Sequence, residues 1–142
     1  MSKEAQEKVV ESLQRWQKIE NAAVAQTAKV MDETDNVLIR LVMEIIQRDS
    51  NMHYRVQQLL IDHLTRSAVT ISPRDLEAVW DAIEDHIKIE RRTVELANEA
   101  LEALSHDKQA VPKYLLTYLL EDEKKHDKML EDIVLIKRGM YP

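Results

Sequence analysis

The sequence predicts an all-α chain folded as an antiparallel four-helix bundle, and three observations carry that expectation. Strong helix formers dominate the 142 residues, with one glycine, three prolines and no phenylalanine. Apolar side chains recur at three- and four-residue gaps over four long stretches, the period of a helix with one buried face. Breaks between the stretches carry residues suited to helix ends. The four helices are expected at about 3–31, 35–65, 73–105 and 111–138 of one domain, 1–142.

Helix one presents Val9, Leu13, Trp16, Ala23, Thr27 and Val30. Asp32-Glu33-Thr34-Asp35 interrupts this stripe and offers N-cap side chains for helix two, whose stripe is Leu38, Val42, Ile45, Met52, Val56 and Leu60. The helical period lapses from Ser67 to Ser72, and Ser72-Pro73 then reads as a capping hydroxyl followed by proline at the first helical position. Helix three shows Leu76, Trp80, Ile83, Ile87, Val94, Ala97, Leu101 and Leu104; after a link over 105–110, helix four shows Leu116, Leu119, Leu130 and Ile133 and ends near Gly139. Rods this long hide such stripes only against one another. Short links at 32–34 and 106–110 make helices one and two, and three and four, antiparallel hairpins. The 65–72 link reaches at most ~28 Å when extended, so either helix two ends early, near His63, or the bundle runs simply up and down.

A net charge of −6 and a pI near 5.4 speak against nucleic acid, which needs a basic face. The absence of cysteine excludes disulfides and thiolate metal sites. The opening Met1–Ala5 lacks the apolar core of a signal peptide, and no stretch approaches the ~20 apolar residues of a membrane span. A cytoplasmic protein with no membrane partner is expected, and its long helices allow a homodimer.

Polar residues interrupt every stripe. Glu20 fills the gap in helix one, Asp49 and His53 that in helix two, Glu90 that in helix three, and Glu123 with His126 that in helix four. Counted from the links at ~1.5 Å per residue, they fall within about two turns of one level. Ionised carboxylates in an apolar core cost several kcal/mol each even after relaxation, so a layer of them calls for a cation. Carboxylate and imidazole donors suit iron, manganese or zinc. Glu123 and His126, three apart, project from one helical face and can reach one ion. His86 shares the face of Glu90 one turn away, and both it and Asp49 are secondary candidates.

In these residues the chain resembles the ferritin-like superfamily, and within it the small rubrerythrin-like proteins that lack a rubredoxin domain. Glu90 is followed 33 residues later by the Glu123-Lys124-Lys125-His126 pair, and Glu20 by His53 at the same distance. The resemblance implies a carboxylate-bridged pair of iron ions held by Glu20, His53, Glu90, Glu123 and His126. It also implies a non-haem di-iron oxidoreductase of peroxidase or ferroxidase type, acting on dioxygen or peroxide or handling iron. Where the family pattern wants a glutamate three positions before His53, this chain has Ser50. Three carboxylates then face two divalent ions, so an asymmetric or single-metal site is the alternative. A metal-free bundle whose polar layer sets register, serving as an interaction module, is the other.

Overall fold

A computed structural model describes residues 1–139, all of whose regular elements are helices. They are α1 (Lys3–Asp32), α2 (Val37–Thr65), α3 (Pro73–Glu77), α4 (Trp80–Ala103) and α5 (Ala110–Lys137). The chain divides into two compact units, Met1–Thr70 and the segment from Ile71 onward. No helix among the described residues is long and apolar enough to cross a membrane.

The first unit is the hairpin α1–α2. Ser2 caps α1 by accepting a 3.2 Å hydrogen bond from the Ala5 N–H. The cap of α2 is Asn36, accepting from the Ile39 N–H at 3.1 Å, and not a residue of Asp32–Asp35. Thr34 instead accepts from the Asn36 N–H, so the acidic run forms the turn that leads into the cap. The antiparallel register is visible in its hydrogen bonds. Gln6 donates to the Leu64 carbonyl, Gln17 to Gln58 at 3.1 Å, and Gln47 to the Val24 carbonyl at 3.1 Å.

The second unit is the hairpin α4–α5, preceded by the single turn α3. Ser72 and Asp75 form a reciprocal capping box, with Pro73 in the first turn, so the start expected at Ser72-Pro73 is where the helix begins. The third expected helix is nevertheless two. At Ala78–Val79 the chain tightens, with the Val79 N–H donating to Leu76 three residues back, and α4 restarts at Trp80. Leu76, 4% exposed, anchors that turn. At the far end Gly139 takes φ +72°, the left-handed conformation that closes a helix, and its N–H donates to the Ile136 carbonyl.

Each hairpin buries a narrow seam. In the first it is Leu13, Gln17, Glu20 and Thr27 against Ser50, Gln57 and Ile61; in the second, Ile87, Glu90 and Ala97 against Leu120. Several residues expected in the inward stripes lie off these seams: Trp16 is 53% exposed, Met52 52%, and Val56, Leu60 and Leu119 about half. Two helices in contact enclose one row of side chains from each, and the apolar positions on either flank need a further element to cover them.

Candidate metal centre

Glu90 sits mid-way along α4 and is 6% exposed. The α5 helix brings Glu123 and His126 beside it, as their three-residue spacing requires. His126 Nδ1 lies 3.5 Å from Glu90 Oε2 and 3.5 Å from Glu123 Oε2. Among the described residues, these three form the one group of metal-ligand side chains in which each offers an atom within 4.8 Å of the others. Donors bound ~2.1 Å from one ion lie at most ~4.2 Å apart, so small side-chain rotations complete the fit.

Two carboxylate oxygens at this cluster lack a hydrogen-bond donor. Glu90 Oε2 is buried and accepts no hydrogen bond, and the same holds for Asp127 Oδ1, one residue beyond His126. Arg91 Nε lies 3.5 Å from Asp127 Oδ1, close enough for attraction but without hydrogen-bond geometry. Within the run, Lys124 pairs with Glu121 and Lys125 with Asp122. The Glu90 carboxyl is held below its usual range, first by a hydrogen bond shared with Glu123 and against the opposing effect of burial. The charges of His126 and His86 and a hydrogen bond with His86 add to the lowering. The lowering favours the ionised form of Glu90 over that of its neighbour Glu123.

His86 Nε2 is 2.8 Å from Glu90 Oε1, the oxygen facing away from His126. It stands outside the three-residue group and orients its carboxylate, as a partner behind a metal ligand does. Beside the cluster, His86, Glu90 and His126 share a groove of about 280 Å³ with Met129, Leu130 and Ile133.

In the first hairpin, Glu20 is equally buried, with His53 Nδ1 at 3.3 Å and Gln57 donating to it across a long 3.5 Å hydrogen bond. Glu20 and His53 thus meet as expected, although the His53 side chain is mostly exposed. Asp49 is exposed; the inward position on that turn belongs to Ser50. Sequence patterning overlooked Gln17, Gln57 and Asp127. All three fall on the seam or beside it, and the available signal was their four- and seven-residue spacing from Leu13, Ser50 and Leu120.

No family model matches the chain, and neither the curated proteins nor the solved structures contain a significant match to it.

Proposed function

We propose that this chain is a metal-binding protein whose ion is held by Glu90, Glu123 and His126. The observation that carries the proposal is the Glu90 carboxylate: buried, with one oxygen that accepts no hydrogen bond, set beside the imidazole and carboxylate that would complete a ligand set. Two carboxylates and one imidazole favour iron, with manganese and zinc as competitors. Three protein donors leave coordination positions open for water or a small ligand, and the groove beside His126 gives such a ligand room.

Part of the same proposal is that the helices pack as a ferritin-like bundle and that bound iron passes electrons to dioxygen or peroxide, in a cytoplasmic setting. What supports this is the resemblance of Glu90 and Glu123-Lys124-Lys125-His126 to the rubrerythrin-like pattern. The protein's own groups would fix the ion, and His86, 2.8 Å from Glu90 Oε1, would orient the Glu90 carboxylate behind it. Anaerobic addition of ferrous ion followed by peroxide tests it. Binding with oxidation to the ferric state is expected; binding without oxidation confines the role to metal storage or sensing.

A metal-free bundle is the second reading, favoured by the hydrogen-bonded pair Glu20–Gln57, which needs no ion. It predicts that Glu123→Leu leaves function intact and stabilises the fold.

A further inference from the structure

The two hairpins repeat one another at a spacing of 70 residues. The pairs Gln17 and Ile87, Glu20 and Glu90, Thr27 and Ala97, and Ser50 and Leu120 are each separated by that number, and every one of the eight side chains is buried. All the seam residues of α4 and α5 thereby find buried counterparts in α1 and α2. The same spacing pairs Gln57 with Asp127, and each carries a buried oxygen without a hydrogen-bond donor.

This register changes which residues correspond at the metal centre. Ser50 is the counterpart of Leu120, a packing position, and does not stand in for a lost glutamate. His53 takes the place of Glu123, and Val56 the place of His126. Of the donors Glu90, Glu123 and His126, the first hairpin keeps the first, exchanges the second for an imidazole, and has an apolar side chain at the third.

The electrostatics differ in the same direction. Around Glu90 the counterpart positions supply two more carboxylates, Glu123 and Asp127, and two buried carboxylate oxygens lack donors. Around Glu20 they supply His53 at 3.3 Å and the Gln57 amide, so the unpaired buried oxygen there belongs to a neutral amide. An unpaired amide oxygen is neutral, and its burial costs only the loss of its hydrogen bond to water. A buried carboxylate oxygen without a donor costs more than a neutral amide oxygen does, and a bound cation beside it relieves that cost.

We infer that the chain is built for one metal ion, held by Glu90, Glu123 and His126 of the second hairpin, and that the first hairpin is a metal-free copy in which the Gln57 amide and His53 stand where an ion would otherwise be needed. The inference rests on the metal-binding reading above and adds its stoichiometry and asymmetry.

The test is metal content of the full-length protein after anaerobic loading with ferrous ion and removal of unbound metal, measured by elemental analysis. One ion per chain is expected, and Glu20→Gln should keep that ion with unchanged affinity. Two ions per chain, or loss of the ion in Glu20→Gln, would overturn the asymmetry while leaving metal binding intact; no bound ion at all would overturn the metal reading itself. The triple variant His53→Glu, Val56→His, Gln57→Asp copies the second hairpin's set into the first and should raise the content from one to two. A folded triple variant, judged by helical circular dichroism, that still binds one ion would contradict the role given to these positions. Should that variant not fold, the wild-type count and Glu20→Gln decide the matter.

Discussion

Ser50 is where the rubrerythrin-like pattern and the register of the two hairpins make opposite predictions. The family pattern wants glutamate there, so Ser50→Glu would complete a second Glu-x-x-His pair with His53 and gain metal. In the structure Ser50 is 6% exposed on the seam facing α1. The longer side chain must be forced into a packed row, at about 1–3 kcal/mol. Its charge must also be taken out of water there, which adds several kcal/mol more. A loss of roughly 4 kcal/mol is expected, lowering the melting temperature by about 10–15 °C for a chain of this size. Ser50→Gln separates the two contributions, since it keeps the volume and removes the charge, and should lose roughly 1–3 kcal/mol. The assay is thermal unfolding followed by circular dichroism, with chelator and then with ferrous ion. Wild-type stability for Ser50→Glu, or extra metal bound by it, would refute the seam assignment.

The remaining predictions concern the helix ends, the core and acid. Ser72→Ala removes one half of the capping box with Asp75 and should cost about 1 kcal/mol in urea unfolding. Leu76→Ala, at a position 4% exposed, should cost about 2–5 kcal/mol, the melting temperature being the readout. Because the Glu90 carboxyl is lowered from 4.5 by Glu123, His126 and His86, its ionised form contributes stability that is present above the unfolded value. That stability is lost as pH falls through the folded one. Metal-free protein should therefore lose urea resistance more steeply between pH 5 and pH 3, about the reference carboxylate range, than does Glu90→Gln; equal slopes would remove Glu90 as the source.

Much of the fold was legible because its signals are local. Ser72-Pro73 marks a helix start through one hydroxyl and one fixed φ, and the period from Val9 to Val30 needs no knowledge of partners. Glu20 and Glu90 were found because each is an acid in phase with an apolar row, and Glu123 and His126 because of their spacing. The misses share a physical origin. Asn36 was passed over for Asp32–Asp35 because Asp32, Thr34, Asp35 and Asn36 all have side chains able to cap, and only the turn geometry chooses among them. The break at Ala78–Val79 carries neither glycine nor proline, so nothing local announces it. Trp16, Met52 and Val56 were placed inside because periodicity reports which face is apolar, not which row of that face meets a given neighbour. Gln57 and Asp127 were invisible for the converse reason: polar residues on a seam look like surface residues until the opposite helix is known. The register of Ser50 required burial on both hairpins, which no single helix displays.

Calorimetric titration of the metal-free protein with ferrous ion under anaerobic conditions, alongside His126→Ala, decides whether Glu90, Glu123 and His126 bind a metal ion. Saturable binding by the wild type is expected, with a stabilisation of about 2.7 kcal/mol at a hundredfold excess over Kd. His126→Ala should lose that binding while keeping its helical circular dichroism. Absence of binding in the wild type, or binding that His126→Ala leaves unchanged, would contradict the account.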